Sequence, residues 1–322
     1  MASSTLYQQY RFQGGSSSWT VASSGLERAS SVFRNFVTKG GLFPPEKNRY
    51  HLYVSYACQF SSRTLIMRKL KGLEEIIPAT IVTPHLGVNG WPFASVDYFP
   101  GAEIDPLYNS RYVKDLYLRA DPDYIGSFTV PVLWDKIQHK IVNNESADIV
   151  RLFNSAFNDL LPQEDAVKDF YPPELQEEID AMNAMMYEDI TYGVYNAGFA
   201  TTLDAYSAAV VPLFEALDRM ERLLAGRTYL VGNRLTEADV RLYVTIIRFD
   251  PVYVGHFKCN LRTIRHGYPN IHLWLRRLYW KNDAFQSTTD FQHIKTSYYW
   301  SHKEINPYRI VPIGPVPHIE SL

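Results

Sequence analysis

Cys58 and Cys259 are the only cysteines in this chain, and a thiol reacts as its thiolate, so acidity and access decide which of them acts. Cys58 follows the alternating, aromatic-rich run Tyr50-His51-Leu52-Tyr53-Val54-Ser55, which reads as a strand. Behind it, Ser61 to Leu73 carries Leu65, Ile66, Leu70 and Leu73 at the spacing of one helix face. A cysteine between a strand end and a helix start faces free backbone N–H groups. Such settings bring a thiol pKa from ~8.5 into the range ~3.5–7.5. The same position suits a small buried residue at a tight turn, and position alone leaves the two readings level. Cys259 has no such setting and reads as structural.

Three further groups have chemical potential. If the Val130-Pro131 bond is cis, the Val130 backbone faces outward and can pair with a peptide-like ligand in strand fashion; from sequence alone cis is the minority outcome, ~5–6% of such bonds. Glu145-Ser146 opens a helix, where a hydroxyl and free N–H groups suit an anion, although an ordinary cap has the same sequence. Tyr192 and Tyr195, Tyr253, and the pair Tyr298-Tyr299 form a phenol-rich set. Phenols donate hydrogen bonds and present aromatic faces, so their convergence would suit an aromatic diol; packing at a domain junction is the plain alternative. His293 and His302 flank the last pair and read as surface or capping residues, with no third group placed to complete a metal site. Glycine-rich nucleotide loops, HExxH and GxSxG are absent.

The elements that must position these groups divide the chain. Its 322 residues suit two domains. Residues 1–47 read as an extension, with Gly14-Gly15, a serine run, Gly40-Gly41 and Pro44-Pro45 and little periodicity. A second strand at Thr80-Ile81-Val82-Thr83 completes strand, cysteine turn, helix, strand. Residues 84–127 form a long insertion without clear elements. Strands are expected over Phe128–Asp135 and Ile137–Val142, then a helix opened by Asn144-Glu145-Ser146 and running through Phe153. From about residue 165 the pattern is helical: Leu175 to Tyr195, Thr202 to Leu224, Glu237 to Phe249, Ile271 to Tyr279 and Phe291 to Tyr298. Thr236 and Asp239 stand as a capping box, with Leu235 and Val240 as its staple. The tail from Asn306, with four prolines, reads as extended. Net charge is -2 without a basic cluster, which argues against nucleic acid. No run approaches the ~18 apolar residues of a membrane span, and two cysteines suit a reducing, cytoplasmic setting. The Ser-rich start is a weak targeting hint.

Taken in order, these features resemble the glutathione transferase family: an α/β thioredoxin-like N-terminal domain (residues 48–164) plus an all-α C-terminal domain (165–305), with 306–322 as a tail. RYHLYVSYAC, NGWPF, ADPDYIG, TVPVLWD, ESADIVR, GVYNAGFATT, LTEADVRLYVTIIRFDPVYVGHFKCN and INPYRIVPIGP are similar to the glutathionyl-hydroquinone reductases, or Xi class, over about residues 48–317. The resemblance implies Cys58 as nucleophile and glutathione as co-substrate without a metal. Trp91 and Phe60 would lie along glutathione, Val130 beside a cis Pro131 would pair with its cysteinyl backbone, and Glu145 and Ser146 would hold its γ-glutamyl end. Tyr195, Tyr253 and Tyr298, with Tyr299 and Tyr192, would line an aromatic or quinol pocket, and the protein would be a homodimer.

The chain departs from the family pattern at two places. C-P-W-A-H-R is usual after the cysteine; here Cys58-Gln59-Phe60-Ser61-Ser62-Arg63 replaces a preorganised proline with a residue that restores an N–H. The arginine usual before the TVP strand is Ser127-Phe128 here, so a cation for a glutathione carboxylate is missing. Weaker glutathione affinity or altered thiol acidity is expected. Three functions follow from these residues: reduction of glutathionyl-hydroquinones, an Omega-like thiol transfer or dehydroascorbate reduction, and non-catalytic binding of phenolic or apolar ligands.

Overall fold

The computed structural model describes residues 19–22, 25–28 and 31–322, the first two stretches through their backbone only. The glycine pair and serine run before residue 19 lie outside the described residues. Among the described residues there are six strands: β1 (Trp19–Ala22), β2 (Gly25–Arg28), β3 (Tyr50–Val54), β4 (Ala79–Ile81), β5 (Val132–Asp135) and β6 (Lys140–Asn143). Helices α1 (Gln59–Leu70), α2 (Val113–Ala120) and α3 (Ser146–Ser155) accompany them. Beyond follow α4 (Gln163–Ala166), α5 (Gln176–Met186), α6 (Gly193–Gly198), α7 (Leu203–Leu223), α8 (Glu237–Ile246), α9 (Ile264–Gly267), α10 (Pro269–Lys281), α11 (Asp283–Gln286) and α12 (Phe291–Ser301).

The main sheet has the order β4-β3-β5-β6, with β3 parallel to β4 and antiparallel to β5, and β5 antiparallel to β6. Side chains alternate between the faces of a strand, and both faces are covered here. Leu52, Val54, Leu133 and Val142 join the core containing Leu65 and Ile66 of α1 and Ile149 and Phe153 of α3. Tyr53, Val132, Trp134 and Ile141 point the other way, into a second cluster with Val113, Leu116 and Tyr117 of α2. This is why all five residues of β3 are buried.

Several expected boundaries move. β5 begins only after Pro131, which has no N–H for the ladder. The strand expected from Ile137 starts at Lys140 instead: Asp135 Oδ1 accepts from Ile137 N (2.8 Å) and Gln138 N (3.1 Å), folding 136–139 into a turn with His139 at φ 54°. The insertion is not without elements, because Val113, Leu116 and Tyr117 give α2 a buried face. Nor is the extension featureless. β1 and β2 pair antiparallel, and further on Asn35 N bonds Val142 O (3.0 Å) while Asn144 N bonds Phe33 O (3.0 Å), covering the outer edge of β6. The expected helix from Leu175 to Tyr195 is interrupted by a π-helical stretch at Tyr187–Tyr192, and another π turn, Phe249–Tyr253, follows α8. The tail forms no helix or strand and runs across α10 and α12, held by Lys295 Nζ to Ile313 O (2.6 Å) and Trp280 Nε1 to Glu320 O (2.8 Å).

The capping box at α8 is present and extends beyond its own helix. The fully buried Asp239 carboxylate accepts from Thr236 N (3.1 Å), Leu230 N (3.0 Å) and Trp274 Nε1 (2.9 Å), so one side chain ties α8 to the preceding loop and to α10. Asp239→Ala strands these buried donors at once and should destabilise the fold by about 3 kcal/mol or more, with Asp239→Asn costing less. Urea denaturation of the two variants against the parent measures this.

Candidate active site

Cys58 is the N-cap of α1, with extended backbone (φ -76°, ψ 118°), and its carbonyl accepts the first helical bond from Ser62 N (2.9 Å). The sulfur is half-buried and donates to Val130 O at 3.6 Å. The Val130-Pro131 bond is cis. Cys58 also packs against the cluster that holds Trp91 and Val130, both largely buried. The cysteine, the tryptophan of NGWPF and the proline strand are thereby brought together. Cys259 is fully buried, and burial pushes its thiol up to about 12, so it fits its structural reading.

Next to this turn, α3 begins. Glu145 is its N-cap, and Oε1 accepts from Ala147 N (3.1 Å); Ser146 is the first helical residue rather than the cap. Arg63, one turn into α1, donates to Ser146 Oγ through Nε (3.0 Å) and Nη2 (2.5 Å), and stands 3.5 Å from Glu145 Oε1. Its guanidinium carbon also lies 5.2 Å from the centroid of the buried Phe60 ring. Arg63 is the arginine of the usual C-P-W-A-H-R pattern, retained in Cys58-Gln59-Phe60-Ser61-Ser62-Arg63, and it holds the start of α3. The extension reaches the same place, where Ser31 Oγ donates to Glu145 Oε2 (3.1 Å) and Arg34 pairs with Asp148 (2.6 Å).

Three of the five tyrosines converge. Tyr298 Oη lies 2.6 Å from Tyr195 Oη and 3.1 Å from Tyr253 Oη, joining α6, the π turn after α8 and α12. Burial raises all three phenols above the ordinary tyrosine value, and the Cys58 charge adds to the rise at Tyr195 and Tyr298. They therefore keep their protons, which a hydrogen-bond donor needs. Tyr192 does not join them. In the π stretch, residues five apart align, and Tyr192 Oη accepts from Tyr187 Oη (2.9 Å). Tyr299, one step around α12 from Tyr298, packs on His256 instead (4.6 Å between centroids).

His293 departs from its expected surface or capping position, whereas His302 is the C-cap of α12. His293 is fully buried and its Nε2 bonds Pro100 O of the insertion (2.7 Å), while its own N–H is capped by Asp290 (2.8 Å). His302 Nδ1 lies 3.0 Å from His256 Nε2; burial pushes them down to about 3 and about 4, so both are neutral near pH 7. Among the described residues, no three His, Cys, Asp or Glu are grouped to hold a metal ion.

Sequence reasoning also missed the contacts that cross to the second domain. Gln59 is buried and its Oε1 accepts from Thr245 Oγ1 of α8 (2.8 Å), which replaces part of the restraint a proline would give. Arg248, after α8, donates to Tyr56 O (2.8 Å) and Ala57 O (3.1 Å). The sequence signal was Arg248's place directly after the apolar pair Ile246-Ile247, where a charge must find partners.

Residues 57–156 match the glutathione S-transferase N-terminal domain, and residues 204–277 match the glutathione S-transferase C-terminal domain. The chain is 53% identical to glutathione S-transferase omega-like 2 of Schizosaccharomyces pombe, covering 94% of this chain and 97% of that one. It is 50% identical to glutathionyl-hydroquinone reductase YqjG of Escherichia coli, covering 90% and 89%. The glutathione-bound structure of YqjG superposes with a TM-score of 0.84, covering 88% of this chain and 92% of that one. Glutathione S-transferase Xi of Phanerochaete chrysosporium superposes with a TM-score of 0.91 at 61% identity, covering 92% and 99%. The chain belongs to the glutathione S-transferase family, among its Xi-class members.

The environments of the two thiols differ enough to be separated chemically. Iodoacetamide at mildly alkaline pH should modify Cys58 and leave Cys259 untouched in the native protein, with both modified after denaturation. Peptide mass mapping reads the two sites independently.

Proposed function

We propose that this chain is a glutathione-dependent reductase of glutathionyl-hydroquinones. The observation that carries the reading is the meeting of the Tyr195, Tyr253 and Tyr298 hydroxyls beside an N-capping cysteine, at the seam between the two halves of the chain. The names of its relatives support the same activity. Residues 48–164 would bind glutathione, as the glutathione-bound relatives do, and residues 165–305 would supply the phenols. Glu145, Ser146 and Arg63 would take the γ-glutamyl end, Val130 the cysteinyl backbone, and Trp91 and Phe60 the apolar flank. We further propose a homodimer acting in the cytoplasm. No helix among the described residues is long and apolar enough to cross a membrane.

In this mechanism the Cys58 thiolate attacks the sulfur of the glutathionyl group, and a Cys58–glutathione disulfide forms as the carbon–sulfur bond breaks. The electron pair of that bond goes to the ring carbon, which takes a proton supplied through the phenol cluster, and the hydroquinone leaves. A second glutathione, as its thiolate, attacks the mixed disulfide, releasing oxidised glutathione and restoring Cys58. The buried, protonated phenols suit the proton delivery, since a phenol already ionised could not give it.

Curated relatives named omega-like favour a second reading, thiol transfer on mixed disulfides with the same cysteine. Glutathione-dependent release of menadiol from its glutathionyl adduct tests the first. Turnover should vanish in a folded Cys58→Ser variant. Tyr298→Phe, which removes both phenol contacts, should lower kcat for the adduct by about 10²-fold while leaving reduction of a glutathionyl mixed disulfide within about threefold. Adduct turnover that survives Cys58→Ser would overturn the reading, and disulfide reduction without adduct turnover in the parent would favour the second.

A further inference from the structure

Arg248 is a buried cation whose partners are all neutral. It is 1% exposed, and its guanidinium donates to Ala57 O through Nε (3.1 Å), to Val244 O through Nη1 (2.6 Å), and to Tyr56 O (2.8 Å) and Ser62 Oγ (2.7 Å) through Nη2. Ser62 Oγ in turn is within 3.1 Å of Cys58 O. Among the described residues no carboxylate forms an ion pair with it, whereas the buried Arg49 has Asp135 at 2.6 Å and Arg63 has Glu145 at 3.5 Å. A buried charge without a counter-ion costs several kcal/mol, which hydrogen bonds offset in part and a nearby negative charge would offset further.

The location identifies that charge. Two of the carbonyls that Arg248 holds belong to the residues immediately before Cys58, and the hydroxyl it holds bonds the carbonyl of Cys58 itself. The other ionisable groups around the turn are already satisfied or uncharged. Arg63 is tied to Glu145 and Ser146, while Tyr56, Tyr195, Tyr253 and Tyr298 are phenols that burial keeps protonated. The sulfur of Cys58, whose reactive form is an anion, sits at this same turn.

We propose that Arg248 is a positioning residue for Cys58, fixing the turn that presents the sulfur and supplying, from the helical domain, the positive charge that keeps it as the thiolate. The proposal rests on Cys58 being the nucleophile. It adds a residue to the site and makes thiol reactivity depend on the seating of the second domain.

Two readings of the thiol test this without any hydroquinone substrate: the ultraviolet thiolate absorbance at neutral pH, taken as the difference from Cys58→Ser, and the rate of iodoacetamide alkylation mapped to Cys58. Arg248→Met should lower both by about tenfold or more, the effect of removing an opposite charge next to an ionisable group. Arg248→Lys, which keeps the charge and loses the fork, should recover both to within about threefold of the parent. An Arg248→Met protein that melts cooperatively with both readings unchanged overturns the proposal, as does Arg248→Lys as impaired as Arg248→Met. Should Arg248→Met fail to fold, Ser62→Ala decides: slower alkylation with unchanged melting supports the proposal, and an unchanged rate overturns it. The expected thiol pattern in a chain that turns over no glutathionyl-hydroquinone would overturn the proposed function and leave this inference standing.

Discussion

The start of α1 is built by one domain and finished by the other. A helix N-terminus leaves donors and a rigid turn to be satisfied, and here the turn's own carbonyls point toward α8 rather than back into the sheet. Arg248 takes the carbonyls of Tyr56 and Ala57, and Thr245 takes the side chain of Gln59. Both donors are buried, so the two domains cannot separate without leaving a guanidinium and two carbonyls unpaired. Farther along the same interface Arg151 of α3 pairs with Glu237 at the start of α8 (3.2 Å), which also accepts from Asn183 of α5 (3.0 Å). The helical domain is therefore a structural part of the cysteine site and not only a cover over it.

That arrangement explains why the phenol cluster can exist. Three tyrosine hydroxyls within hydrogen-bond reach of one another need a dry, fixed setting, since water would compete for each of them. The cluster is assembled from α6, a π turn and α12, elements separated by many residues in the chain. π turns are uncommon and concentrate at functional sites because they rotate the helical face by part of a turn. Here the stretch Tyr187–Tyr192 turns Tyr192 away to Tyr187, and Phe249–Tyr253 brings Tyr253 in. The insertion contributes from the opposite side. Its Pro100 carbonyl holds His293, on the same helix as Tyr298, and the His85 ring packs tilted against Trp300 (4.6 Å between centroids).

These particulars mark how far the sequence could be read. Strand β3, the cysteine turn and the capping box of α8 are set by neighbours within a few residues, and alternation, helix spacing and the Thr236-Asp239 pair display them directly. The position of Cys58 at the start of α1 followed from the same local reasoning. Tyr195, Tyr253 and Tyr298 could be named from family motifs, but their convergence is tertiary. Tyr192 contacts Tyr187 because of a π stretch that nothing local in YEDITY signals. His293 reads locally as a surface or capping residue, and only the folded insertion reveals what the imidazole does. The role of Ser31 and Arg34 at α3 was equally hidden, since edge pairing by an extension depends on a partner more than a hundred positions away.

Gln59 shows how such a site absorbs a change at a critical position. Where the family pattern has proline, a restored N–H and a flexible side chain would loosen the turn. The side chain is instead buried, and its carbonyl oxygen is held by Thr245, so rigidity that proline would supply through its ring is supplied by a bond to the other domain. The exchange has a cost. Gln59 Nε2 is buried without a hydrogen-bond partner, a penalty of about 1–3 kcal/mol for one unmatched donor. Arg248, with Ser62 bonded to it, acts on the same turn from the other side, and a turn held by these and by Thr245 can lose the proline and keep its geometry. Conformational restraint around Cys58 is thus a property of the domain interface, and substitutions on α8 should be expected to matter as much to the thiol as substitutions next to it in sequence.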